Sequence, residues 1–169
     1  MQMYTSPMRR SGLRSIGAVA LAIGGAELLP TVAQAAEIII TVTDVKAVDR
    51  ADVFSRPDFF AAVTIAGETF TTKVARNQAN ASPNWVVRKT VPRGTHDVKL
   101  AIFDKDLTKN EAIDINARDN KRDLDFRVNT RNCRVLDLSG VGSGCRSTIT
   151  RAGKERKAAE VRFTVEIVQ

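Results

Sequence analysis

The chain has 169 residues, 26 basic against 19 acidic, and a formal net charge of +7. A chain of this size builds one hydrophobic core and not two. Both signs of charge are mixed along it, and the basic residues lack the interleaved aromatics on which single-stranded nucleic acid stacks, which argues against nucleic acid as a partner.

Arg9, Arg10 and Arg14 precede a small-residue and apolar run from Ile16 to Leu29. Ala33-Gln34-Ala35 then supplies the small-x-small pattern that signal peptidase accepts, which predicts cleavage before Ala36. The run is too short to span a bilayer, and Gly24, Gly25 and Glu27 interrupt it. The stretch from Arg9 to Arg14 is similar to a bacterial twin-arginine signal, with Gly12 where that pattern prefers an aromatic; an ordinary secretory signal is the simpler reading. Residues 1–35 are therefore expected to be a cleavable export signal peptide and 36–169 the mature domain, periplasmic or extracellular. Loss of Arg9, Arg10, Arg14 and Glu27 takes the formal charge from +7 to +5.

Beyond the signal the apolar residues recur with period two, the mark of strands with one buried face. Glu37 to Thr43 opens with a run of isoleucines, and Phe59 to Ile65 puts Phe59, Ala61, Val63 and Ile65 on one face. A turn at Ala66-Gly67-Glu68 leads into Thr69–Val74. Asn84–Val91 carries Trp85, an aromatic better suited to the core than to ligand contact. After a turn at Pro92-Arg93-Gly94-Thr95, Asp97–Phe103 aligns Val98, Leu100 and Ile102. Weaker strands are expected at Glu111–Ile115, Leu124–Val128 and Arg134–Leu138, with Ser147–Thr150 able to form a further extended piece. Lys154–Ala159 reads either as a helical turn or as a polar lead-in to the last strand, Val161–Ile167. Seven or eight short strands joined by polar turns predict an all-β, two-sheet antiparallel sandwich.

Cys133 and Cys145 flank Ser139-Gly140-Val141-Gly142-Ser143-Gly144, which can turn tightly enough to bring its ends together. In an oxidising compartment they are expected to form a disulfide. Two cysteines and a single distant histidine do not make a structural zinc site, which needs four ligands.

The acidic residues gather at strand ends. Asp52 and Asp58 precede the Phe59 strand, Asp104 and Asp106 follow Phe103, and Glu111 and Asp114 come a little later. Loops distant in sequence meet at one end of a sandwich, and convergent carboxylates repel unless protonated, hydrated or bridged by a cation. Calcium, with six to eight hard oxygen ligands in flexible geometry, suits them; the plain alternative is that these acids only solvate turns. An EF-hand is excluded, because Lys109 stands at its glycine position and Ile115 at its closing glutamate.

At these residues the chain resembles the C2 domain family, the calcium- and phospholipid-binding β-sandwiches. Asp52, followed by Arg56-Pro57-Asp58-Phe59-Phe60-Ala61-Ala62-Val63, is similar to that family's first calcium loop and the strand it enters. Thr69-Phe70-Thr71-Thr72-Lys73-Val74 is similar to the next strand, and Ala81-Ser82-Pro83-Asn84-Trp85 to its asparagine-proline-x-tryptophan signature with proline and asparagine exchanged. Val98-Lys99-Leu100-Ala101-Ile102-Phe103-Asp104-Lys105-Asp106 resembles the strand and paired aspartates of the third loop. The likeness covers residues 37–115. It implies Asp52 and Asp58 as first-loop ligands, and Asp104 and Asp106 as bridging ligands. The third-loop aspartate expected six positions after Asp106 falls on Ala112, leaving Asp114, or less favourably Glu111, to supply that oxygen. Lys73, Arg76, Arg88 and Lys89 resemble the family's anionic-lipid patch, with scattered solvated charge as the alternative.

The leading expectation is an exported, noncatalytic calcium-binding module that docks to an anionic membrane surface, a glycan or another exported protein. A metal-free structural or protein-interaction sandwich is the runner-up. A metal-dependent hydrolase ranks third: His96 has Asp97 as its neighbour, but no nucleophile elbow or other catalytic constellation accompanies them.

Overall fold

The structure is a computed structural model that describes residues 34–48, 56–106, 109–138 and 144–169. These residues fall in one compact unit, Val32–Gln169. The expected signal peptide lies outside the described residues except for Gln34 and Ala35.

The described strands are β1 (Ala35–Ala47), β2 (Phe59–Ile65), β3 (Glu68–Thr71), β4 (Asn80–Ala81), β5 (Trp85–Pro92), β6 (Thr95–Asp104), β7 (Glu111–Ile113), β8 (Leu124–Asn129), β9 (Arg134–Leu136), β10 (Ile149–Ala152) and β11 (Ala159–Val168). They form two antiparallel sheets. The first runs β10-β11-β1, with β5 and the short β4 both on the far side of β1; the second runs β3-β2-β6-β8-β9, with β7 also on β6.

The period-two pattern of the sequence becomes the interior. Ile38, Ile40, Val42, Phe163 and Val165 from one sheet face Phe59, Ala61, Val63, Leu100, Ile102 and Phe126 from the other. Phe126 and Phe163 meet at 5.7 Å between ring centres, tying the layers together. In β1 the register against β11 shifts between Val42 and Asp44. This one-residue bulge is why Val42 and Val45, three apart, both reach the core, where strict alternation would put them on opposite faces. Trp85 is buried at the start of β5 and belongs to this core.

Three details refine the sequence reading. β1 starts at Ala35, so the expected cleavage point falls one residue inside the first strand. Residues 154–158 form bends and an isolated bridge leading into β11, the polar lead-in and not a helical turn. The two-residue β4 was not foreseen, because a pair of residues carries no period. Cys133 and Cys145 are disulfide-bonded, with Cα atoms 5.3 Å apart. The bond ties the turn before β9 to the segment before β10, where Arg134 also bridges Gly144.

Candidate cation site

Two of the expected ligands come together because β2 and β6 are paired. Phe59 stands opposite Asp104, so Asp58 arrives at the end of β2 just where β6 finishes. The backbone N–H of Asp58 donates to Oδ1 of Asp104 at 2.7 Å, and the N–H of Lys105 donates to the Asp58 carbonyl at 3.0 Å. Oδ1 of Asp58 in turn accepts from the N–H of Asn77 at 2.7 Å, bringing a third segment to the same end. These bonds use one oxygen of each carboxylate and fix both side chains.

Burial pushes the Asp104 carboxyl above its ordinary 3.8; the N–H of Asp58 opposes this, while the charges of Asp106 and Asp58 add to it and that of Lys157 pulls it down. Asp106 is exposed, two residues further along. Hard oxygen donors, negative charge and mutual repulsion match a divalent cation such as calcium. Among the described residues no group of three or more His, Cys, Asp or Glu is arranged to hold a metal ion. Asp52 lies outside the described residues.

Asp114 has a different role from the one expected. It is fully buried. Its Oδ1 accepts from the N–H of Asn116 at 2.9 Å, and its Oδ2 from the N–H groups of Lys154 and Glu155 at 2.8 and 2.7 Å. A carboxylate bonded at both oxygens by backbone donors anchors a loop and has little left to offer a cation. Glu111 stands directly opposite Asp104 in the β6–β7 ladder. Glu111 is ion-paired with Lys157, whose hydrogen bond and charge hold its carboxyl below the ordinary value.

The four basic residues do not share one face. Arg88 and Lys89 are neighbours on β5 and therefore point to opposite sides of the sheet. Arg88 pairs with Glu37 across β1 at 3.4 Å, whereas Lys89 reaches Glu68 of β3 in the other sheet. Lys73 and Arg76 are exposed in the segment between β3 and β4.

His96 and Asp97 alternate across β6, and the imidazole Nε2 bonds to the carbonyl of Pro92 at 2.7 Å. An open cleft of about 710 Å³ on the outer face of the second sheet is lined by Thr64, Asp97, Lys99, Asp125, Arg127 and Asp137. Two of its cations are ion-paired, Lys99 with Asp125 and the neighbouring Asp123, and Arg127 with Asp137.

Sheet order, strand pairing and the loop cluster around Asp58 and Asp104 define a C2-domain-like β-sandwich. Two solved structures bear this out. The chain is similar to the structure of the paired C2 domains of Extended-Synaptotagmin 2, with 14% identity, a TM-score of 0.60, and coverage of 91% of this chain and 48% of that chain. An isolated C2 domain matches at 10% identity and TM-score 0.54, over 79% of this chain and 99% of that one. Human GIVD cytosolic phospholipase A2 also matches, at 17% identity and TM-score 0.49, over 81% of this chain; the chain spans only 18% of that enzyme's length. No protein-family model matches the chain, and no curated protein does.

Proposed function

We propose that this chain is an exported, noncatalytic calcium-binding module whose cation site lies at the Asp58–Asp104 end of the sandwich. The observation that carries the reading is the 2.7 Å bond from the Asp58 N–H to the Asp104 carboxylate, which joins two acid-bearing loops 46 residues apart in sequence. Asp106 adds charge to the same end. Asp52 is proposed as a further ligand, with backbone carbonyls and water completing the shell. A nucleus of this kind supports weak affinity, about 10⁻⁴ to 10⁻³ M, the range useful outside the cytoplasm. When bound, calcium neutralises the clustered carboxylates and steadies the loops that carry them.

The proposed target is an anionic lipid surface, an anionic glycan or another exported protein. Lys73 and Arg76 are the proposed contacts, because Arg88 and Lys89 are already paired with glutamates on opposite faces. The metal-free interaction sandwich is favoured by one observation, the lysine standing among the acids at this same end.

Calorimetric titration of the purified protein with calcium, using magnesium as control, separates the two readings. Binding in the sub-millimolar to millimolar range that Asp104→Asn sharply weakens supports the calcium module. Folded protein that binds nothing at millimolar calcium supports the metal-free one. Co-sedimentation with anionic vesicles, with and without calcium, then tests the target, and loss of binding in a Lys73→Glu, Arg76→Glu variant places the contact.

A further inference from the structure

The acidic end of the sandwich carries a cation that the chain supplies itself. The Lys157 ammonium pairs with the carboxylate of Glu111, and Glu111 is the direct cross-strand partner of Asp104. The lysine side chain keeps only 24% of its exposure, so its charge is held against the protein and not out in solvent. Its backbone is fixed as well. Lys157 holds a left-handed φ of 61°, a conformation that a residue with a side chain adopts only where its surroundings impose it. Its carbonyl accepts from the Asp114 N–H at 2.9 Å, and Ala158 forms a bridge with Asp114. The Asp114 carboxylate holds Lys154 and Glu155 just upstream. One buried acid thus organises a short loop whose product is the placement of one ammonium.

We propose that Lys157 is a resident counterion for the Asp58, Asp104 and Glu111 end of the sandwich, and that it sets how strongly this end takes up a divalent cation. The first half stands on the metal-free geometry; the second rests on the calcium reading above. An ammonium already among the carboxylates relieves part of their repulsion, so less remains for a metal to relieve. The same positive charge repels an incoming dication. Both effects lower affinity, and both disappear together when the charge is removed. The downward pull of Lys157 on the Asp104 carboxyl agrees with this arrangement.

The test uses the full chain and the variants Lys157→Gln, Asp104→Asn, their double, and Lys157→Arg. In chelator, Lys157→Gln should lower the melting temperature, and by clearly less when Asp104 is already Asn. In calcium titrations, Lys157→Gln should bind roughly five- to tenfold more tightly than wild type, the scale of one charge acting on a dication across a short aqueous distance. Lys157→Arg keeps the charge and should stay close to wild type in both measurements. Coupled melting shifts with no calcium binding in any variant support the counterion and reject the calcium reading. Additive melting shifts with unchanged affinity overturn the proposal, as does an arginine variant that behaves like the glutamine one. Should Lys157→Gln not fold, Glu111→Gln replaces it, since freeing the ammonium from its anchor must weaken the coupling to Asp104; coupling that persists unchanged overturns the counterion.

Discussion

Gly153 lies directly against the backbone of Asp114: a methyl group added at Gly153 would stand 2.1 Å from the Asp114 carbonyl oxygen and 2.5 Å from its carboxyl carbon. This close approach is what lets the next two residues deliver their N–H groups to the buried carboxylate. Backbone cannot retreat as a flexible side chain can, so the position requires glycine.

Gly153→Ala should therefore destabilise the domain by about 1–3 kcal/mol through overpacking. Asp114→Ala strips the acceptor from three backbone N–H groups and should cost about 3 kcal/mol or more. Urea denaturation in chelator checks both. An Asp114→Ala protein of wild-type stability that had lost calcium binding would return this residue to the ligand set.

Asp104 should leave a signature in the pH dependence of the metal-free protein. Its carboxyl is raised above 3.8, chiefly by burial, so the folded state keeps this proton over a range where the unfolded chain releases it. The contribution to stability is complete below the unfolded value and is lost as the pH rises through the folded one. Asp104→Asn has no such loss. Denaturation in chelator, from acid to neutral pH, should show the variant gaining on wild type across that window and ending slightly more stable. A difference that does not vary with pH would show that the carboxyl is not perturbed.

The Cys133–Cys145 bond closes a short loop that starts before β9 and ends before β10. Replacing both cysteines with serine should cost about 2–3 kcal/mol, the scale expected for a loop of this length. The intact protein should weigh two hydrogens less than its reduced form and resist alkylation until reduced.

Exported protein should lack the segment through Ala35 in its intact mass. Gln34 is held in the folded domain by a 2.9 Å bond from the Arg93 N–H, and Ala35 is paired with Pro92. Purified, folded precursor should consequently resist signal peptidase, while urea-unfolded precursor should be cut. An exported product that retains Met1 would defeat the export reading.

The sandwich was legible because its long strands obey a simple alternation. β2 runs from Phe59 to Ile65 as the pattern indicates, and Val98, Leu100 and Ile102 face the core as expected. The pairing of Asp58 with Asp104 was legible from the resemblance of their loops. What stayed hidden was the identity of each acid's neighbours. Asp114 sits between Ile113 and Ile115, and an acid inside an apolar run was the available sign of a buried, bonded carboxylate. Nothing local marks Lys157, because its relation to Glu111 arises only when β7 and the lead-in to β11 meet across 46 residues. Arg88 and Lys89 misled for a simpler reason: adjacency in a strand means opposite faces.

The middle of the first sheet is made from the two ends of the described chain, with Glu37 opposite Val168 and Ala47 opposite Ala159. During synthesis at about 5–20 residues per second, more than a hundred residues must follow β1 before its β11 partner exists. Over those seconds the Ile38-Ile39-Ile40 segment lacks half of its hydrogen-bonding partners and is open to a chaperone. Such late closure slows folding, as pairings between distant segments do. It also keeps the polypeptide threadable, the condition a narrow translocation pore would set for the export proposed above.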